Sequence, residues 1–324
     1  MGQQVNDKIQ LSAQATPEHA GQRLDQVAAD LFDRFSRSRL QQWIKGGALT
    51  VNGHTARPKD KLIGSETLTI DAELEAEVED AAQPIELPVV YQDDDLLVIN
   101  KPAGLVVHPA AGHQDGTLLN GLLHHDPGLN SLPRAGIVHR LDRDTTGLMV
   151  VARTLEAHTS LVAQLQDKSL YREYEAVTVG VMTSGGVVDA PIGRHPQDRK
   201  RQAVIDTGKH AVTHYRVIQR FRGNTHVRVQ LETGRTHQIR VHMAHIRYPL
   251  VGDSAYGGRL KLPAGASPAL REALQGFRRQ ALHARKLGLV HPTSGEYMEF
   301  ESPLPDDFTA LLAHLHADLA DSTA

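Results

Sequence analysis

The chain contains no cysteine, which excludes disulfides and thiolate metal sites. No apolar run approaches the roughly twenty residues needed to cross a bilayer. Met1 to Gln10 lacks the basic start and apolar core of a secretory signal. The expectation is a soluble cytoplasmic protein without a membrane partner. Also missing are the phosphate loop Gly-x-x-x-x-Gly-Lys-Ser/Thr, a Gly-x-Gly-x-x-Gly turn after a strand, a His-Glu-x-x-His zinc motif and a Gly-x-Ser-x-Gly nucleophile elbow. Nucleotide cofactors and the common hydrolase plans lose ground, and no cofactor is expected. Among 19 histidines, His237, His242 and His245 come closest to a cluster. On a helix, positions 237 and 242 project about 140° apart, whereas metal pairs favour i, i+4, so no metal is expected either.

What is present is 324 residues, 40% hydrophobic and 23% charged. That is an ordinary globular composition and a length suited to a small module plus a larger one. The net charge of −3 conceals an uneven distribution. Ten of the 38 acids lie between Asp71 and Asp95, where there is no Lys or Arg, so the remaining 28 face 35 basic residues. Arg194 to Arg247 holds twelve Lys and Arg against three acids. A field of that sign attracts polyanions; basic residues scattered over a solvated surface are the bland alternative.

Residues 1–20 read as an N-terminal extension. Leu24, Val27, Ala28 and Leu31 recur at helical spacing, and Ser36 is placed to cap a second helix carrying Leu40, Trp43 and Ile44. Gly46 and Gly47 end it. The turn pair Asn52-Gly53 and the run Leu68-Thr69-Ile70 complete a two-helix and hairpin unit over 21–72. Arg37, Arg39 and Lys45 lie on or beside its second helix, where they can grip a phosphate backbone or simply face solvent. The acidic stretch has little to bury and reads as a linker, 73–86. Over 87–324, short apolar runs at Leu96–Ile99, Gly136–Val138, Leu148–Ala152, Tyr174–Val179, Val212–Ile218 and Val227–Leu231, several of them alternating, read as strands. Helical patterns at 156–166, 236–246, 267–276 and 306–319 interrupt them. The predicted class is α+β, with a mixed, mainly antiparallel sheet and a central cleft.

Two segments concentrate polar groups. His139-Arg140-Leu141-Asp142-Arg143-Asp144-Thr145-Thr146-Gly147 joins two apolar runs. Asp142, at the end of the first, is either a functional group exposed by a loop or a turn aspartate satisfying backbone. Thr233-Gly234-Arg235-Thr236-His237-Gln238-Ile239-Arg240 reads as a strand-to-helix corner capped by Thr236. Its helix start suits an anion, or it is an ordinary corner with exposed basic side chains.

These two segments, with Asn100-Lys101-Pro102 and Arg172-Glu173-Tyr174-Glu175-Ala176, resemble the RluA-type family of pseudouridine synthases. Residues 21–72 resemble an S4 RNA-binding domain. The similarity runs from about Gly21 to Pro305. It implies a cofactor-independent enzyme that isomerises uridine to pseudouridine in 23S ribosomal RNA or a large-subunit precursor, at several uridines of the helix 69 stem-loop; a monomer is the default expectation. It implies Asp142 as the nucleophile, Arg240 as its basic partner and Tyr174 as the aromatic stacked on the flipped-out base. Arg140 would fill the vacated space, with His139 and Thr146 in the same RNA-contacting set, chiefly shaping the loop. Arg194, Arg199, Lys200, Arg201, Arg235 and His237 complete the implied RNA-binding set with Arg37, Arg39 and Lys45. Arg172 departs from the family, where lysine is common. The rival readings are a non-catalytic RNA-binding assembly factor and an RNA glycosidase.

Overall fold

A computed structural model describes residues 7–33, 35, 37–74, 81–109 and 113–323. The chain divides into two units, Met1–Glu79 and Asp80–Ala324.

The first unit runs β1 (Asp7–Gln14), α1 (Leu24–Leu31), α2 (Arg37–Gly46), β2 (Leu49–Val51), β3 (His54–Thr55) and β4 (Thr67–Leu74), with sheet order β1-β4-β2-β3. Leu24, Val27, Ala28, Leu40 and Ile44 form its core with Leu49, Leu68 and Ile70, the faces that the apolar spacing predicts. Asn52 and Gly53 both have positive φ, 50° and 78°, as a two-residue hairpin turn requires. Part of the 1–20 extension is a strand: β1 pairs antiparallel with β4 over eight positions, and Ile9, Leu11 and Ala13 pack on the core. Its alternation is too weakly apolar to stand out, and only the partner edge of β4 gives it a place. Asp25 is buried between the helices and accepts from Arg23, Arg37 and Gln41 at 2.9, 2.8 and 2.6 Å. Burial works against its charge, but these three donors outweigh it and lower the pKa to about 2. The expected cap Ser36 lies outside the described residues.

The second unit contains β5 (Val89–Gln92), β6 (Leu96–Lys101), α3 (Leu118–His125), β7 (Thr146–Ala152), α4 (Leu155–Gln166), β8 (Tyr171–Val179), β9 (Gly186–Asp189), β10 (Ile192–Arg194), β11 (Gln202–Val204), β12 (Val212–Arg220), β13 (Asn224–Leu231), α5 (Gln238–His245), α6 (Pro268–Gly276), β14 (Leu282–Val290), β15 (Tyr297–Glu301) and α7 (Asp306–Thr323). Its large sheet has the order β5-β6-β7-β14-β8-β13-β12-β9, with β15 also on β14. Every pairing is antiparallel except β7 with β14. Alternate residues of β6 and β7 face opposite cores: Leu97, Ile99, Met149 and Val151 meet α3, and Leu96, Val98, Leu148 and Val150 meet α4. Burial on both faces explains why these strands read as continuous apolar runs. Strands β10 and β11 form a separate hairpin.

Three readings of this unit change. Gly136–Val138 is not a strand: Arg134, Ala135 and Gly136 have φ of 55°, 51° and 77°, and only Ile137 bridges to Val151. The linker read over 73–86 is partly docked. Gln83 accepts from Gly116 N and donates to Asn120 O, while Ile85 and Leu87 lie against Gly121. The corner helix begins at Gln238 rather than at a Thr236 cap, because the Gln238 side chain organises the turn. Its Oε1 accepts from Thr233 Oγ1 (2.7 Å) and Arg235 N (3.0 Å), and its Nε2 donates to Val212 O (2.9 Å).

Candidate active site

The loop bearing Asp142 hangs between two glycines with left-handed φ. At Gly136 a Cβ would meet Ala152 O at 1.9 Å, and at Gly147 (φ 115°) it would meet Ala284 O at 2.3 Å. Both positions therefore need glycine for close backbone approach as well as for conformation. Between them, Leu141 is buried, Asp142 O accepts from Thr145 N at 3.1 Å, and Thr145 Oγ1 accepts from Gln280 at 3.0 Å. From below, fully buried Lys101 donates to Pro102 O, Leu105 O and Arg143 O at 2.8, 2.9 and 2.8 Å. Burial pushes its pKa down to about 7, against the pull of Asp144 and Asp142. The Asn-Lys-Pro segment thus acts as a clamp under the Asp142 loop.

Asp142 opens into a cleft of about 1140 Å³ whose walls include Arg140, Arg172, Tyr174, Arg235, His237 and Arg240. Arg240, 98 residues away in sequence, donates through Nη1 to Asp142 Oδ2 at 2.9 Å. Its Nε and Nη2 donate to both oxygens of Asp253 at 2.7 and 2.9 Å. Asp253 is buried and also accepts from Ala255 N and Tyr256 N. Burial opposes the charge on Arg240, but Asp253 and Asp142 outweigh it, so the guanidinium titrates above its ordinary range. The geometry is a fixed fork that places one permanent cation on a cleft-facing carboxylate. A carboxylate held in one orientation by such a pair has the geometry that nucleophilic catalysis asks for.

Tyr256 closes the site. The guanidinium carbons of Arg240 and Arg201 lie 5.0 and 5.1 Å from its ring centre. Its hydroxyl accepts from Gln202 N at 2.8 Å and lies 2.7 Å from His237 Nδ1. The far imidazole nitrogen of His237, Nε2, stands 3.8 Å from Asp142 Oδ1. Tyr174, 5% exposed, lines the cleft. Burial raises its pKa, with Arg172 opposing and Asp142 reinforcing, which keeps the phenol neutral. Arg140 is exposed at the mouth.

The structure brings together Asp142, Arg240, Tyr174, Arg140, Arg235 and His237 in one cleft. Arg201 joins them through Tyr256, whereas Arg194, Arg199 and Lys200 are exposed on the β10–β11 hairpin. Thr146 and His139 both bond to the framework behind the loop, and His139 also lines the cleft. Thr146 is buried with its hydroxyl on His283 Nδ1 at 2.8 Å, and His139 Nε2 accepts from Val150 N at 3.1 Å. Burial pushes the His139 pKa down to about 3, so it remains a neutral acceptor that holds the loop. In the first unit Arg37 is committed to Asp25, Arg39 lies 6.0 Å over the Trp43 ring, and Lys45 is exposed. His242 is buried on Thr213 Oγ1 and Ala190 O. Among the described residues no three His, Asp or Glu side chains converge as metal ligands, and no helix is long and apolar enough to cross a membrane.

Asp253 and Tyr256 escaped the sequence reading. The only local signal is an Asp-x-x-Tyr run between Gly252 and Gly257-Gly258, which looks like an ordinary glycine-bounded turn until Arg240 is seen against it.

Comparison with known proteins places this cleft in context. Residues 95–245 match the RNA pseudouridylate synthase family and residues 22–67 the S4 domain. A relative from Pseudomonas aeruginosa named ribosomal large subunit pseudouridine synthase D is 62% identical, covering 97% of this chain and 98% of its own. Relatives of the same name from Xanthomonas campestris and Salmonella typhimurium are 56% and 54% identical, covering 93% and 97% of this chain and 91% and 97% of their own. Among solved structures, human RNA pseudouridylate synthase domain containing 4 superposes with a TM-score of 0.57 at 30% identity. That match covers 71% of this chain and 93% of the human one.

Proposed function

The chain belongs to the RNA pseudouridylate synthase family, and from that premise we propose that it isomerises uridines of large-subunit ribosomal RNA, with Asp142 as the nucleophile. The observation that carries the reading is the 2.9 Å pair between Asp142 and Arg240, facing a cleft that Tyr174 and Arg140 also line. A uridine in a folded stem is out of reach until it is flipped out, which costs a few kcal/mol. The exposure of Arg140 at the mouth supports a role for it in filling the vacated space, and the position of Tyr174 in the cleft wall supports stacking on the extruded base. The C1′–N1 bond breaks, the uracil turns within the cleft, and C5 joins C1′. No redox change or energy input is involved. The helix 69 stem-loop of 23S ribosomal RNA is the target that the family resemblance favours, and the protein acts there as a monomer in the cytoplasm.

RNA is held in two ways. Arg235 in the cleft, Arg201 beside Tyr256, and the exposed Arg194, Arg199 and Lys200 of the β10–β11 hairpin serve the second unit, and Arg39 and Lys45 the first. Phosphate contacts of this kind position the RNA while the cleft selects the base. The test is carbodiimide labelling with primer extension on 23S RNA treated with pure protein. Wild type converts uridine without added nucleotide, whereas Asp142→Asn abolishes conversion and still binds RNA. Full conversion by the Asn variant would falsify the assignment, and abasic sites in the product would identify a glycosidase instead.

A further inference from the structure

The Asp253 turn, whose carboxylate grips Arg240 of the cleft, also lines a second cavity, of about 220 Å³. Leu250, Val251, Leu274 and Phe277, all buried, make its wall largely apolar. One polar side chain in that wall is incompletely bonded. Asn224, 1% exposed, donates through Nδ2 to Thr178 O at 3.1 Å, but its Oδ1 has no hydrogen-bond partner among the described residues. Exchanging the two amide atoms would set one carbonyl oxygen against another, so the free atom is an acceptor. Buried polar atoms are nearly always paired, and an unpaired one facing a cavity calls for a donor from outside the chain.

The rim of the cavity is basic. Arg259, Lys261 and Arg278 line it and are exposed, and no ion pair engages any of the three among the described residues. The one acid of the wall, Asp253, is already committed to Arg240 and to the amides of Ala255 and Tyr256. An apolar slot with one inward acceptor and three outward cations fits a flat ring that carries an N–H donor and an attached anion. The volume is below the roughly 300–1,000 Å³ of pockets for drug-sized ligands, so it admits a single base and leaves an attached phosphate at the rim.

We propose that this cavity is a second nucleotide site, specific for a base with an exocyclic amino group. The amino group donates to Asn224 Oδ1, the ring packs on the apolar wall, and the phosphate meets Arg259, Lys261 and Arg278. A base with an oxo group in that place turns a second acceptor toward Oδ1 and is rejected. Uracil, whose one free N–H lies between two carbonyls, is excluded for the same reason, which separates this site from the cleft. The nucleotide comes either from the RNA, away from the target uridine, or from the free pool.

The test is calorimetric titration of the full-length protein with adenosine 5′-monophosphate and inosine 5′-monophosphate, which differ in the amino group. The adenine nucleotide is expected to bind at least about tenfold more tightly, the usual effect of leaving a buried acceptor unpaired. Asn224→Leu, close in volume, should erase that preference. A variant combining Arg259→Ala, Lys261→Ala and Arg278→Ala, all exposed positions, should weaken the adenine nucleotide by about tenfold or more with Tm unchanged, and it decides the matter even if Asn224→Leu does not fold. Adding 23S transcript to the Asp142→Asn protein separates the two sources: displacement of the adenine nucleotide assigns the site to a nucleotide of the RNA, and joint binding assigns it to a free one. Equal affinity for the two nucleotides overturns the proposal, as does no binding up to about 10 mM. Binding that survives the triple substitution also overturns it, because the nucleotide would then lie in the catalytic cleft. None of these readings requires uridine conversion, so this site can fail while the synthase assignment stands.

Discussion

At the scale of single residues the site turns on one guanidinium shared by two carboxylates. Arg240 holds Asp253 through two hydrogen bonds and Asp142 through a third. Replacing it with methionine strands Asp253 as an uncompensated buried charge, a change that typically costs about 3–5 kcal/mol. Arg240→Met should therefore lower Tm as well as abolish conversion, and thermal unfolding followed by circular dichroism separates the two. Asp253→Asn keeps the volume but loses the bidentate grip. It should lower kcat far more than it raises KM, because Asp253 positions Arg240 without touching RNA. An Asp253→Asn enzyme with wild-type kcat would remove that role. Of these residues, Asp142, Tyr174 and Arg240 were legible through the motif match. Asp253 and Tyr256 were not, because an aspartate satisfying two backbone amides within its own turn looks the same whether or not an arginine rests on it.

Elements set the precision with which Asp142 is presented. Its loop is pinned above by Gly147 against β14 and below by Lys101. Gly147→Ala would put a methyl carbon 2.5 Å or less from Ala284 backbone atoms at φ 115°, a region closed to L side chains. The expected result is a loss of several kcal/mol, of the order seen for overpacking combined with backbone strain, measurable as a fall in the urea midpoint. Most strands and helices could be read from apolar spacing, because burial on one or both faces leaves its period in the chain. Two errors share a physical cause. Ile137 is apolar because it is buried, yet the left-handed φ of Arg134, Ala135 and Gly136 breaks the strand. Strand β1 is barely apolar and exists because β4 offers it an edge. Burial and pairing come from partners distant in sequence, which periodicity does not record.

For the molecule as a whole, the sum of charges is misleading and their placement is informative. Acids cluster between 71 and 95, while the cleft unit carries the basic surplus of 194–247. RNA affinity should therefore fall steeply with added salt, as expected when several phosphates are neutralised. A binding constant insensitive to salt between 50 and 200 mM, the range over which about six phosphate contacts lose ~10³-fold in affinity, would contradict that surface. Acid acts on the fold in a separate way. Burial lowers His139 to about 3 and His283 to about 4, below the ordinary histidine value. Between those values and about 6.5 the unfolded chain binds more protons than the folded one, so stability rises with pH across this window. Tm should drop progressively as pH is taken from 6.5 to 4, and His139→Gln should flatten the drop.

By itself the sequence determined the helical and strand periods of both units and the family, through motifs whose order survives in one dimension. Only the tertiary structure decided that Asp142 meets Arg240 across 98 residues, that Asp253 and Tyr256 stand behind them, and that His237 faces the carboxylate while Thr146 is buried behind the loop. Local pattern encodes which side of an element is buried. The distance between two charges depends on how a nine-stranded sheet brings far-separated loops to the same cleft, and no short-range feature of the chain carries that information.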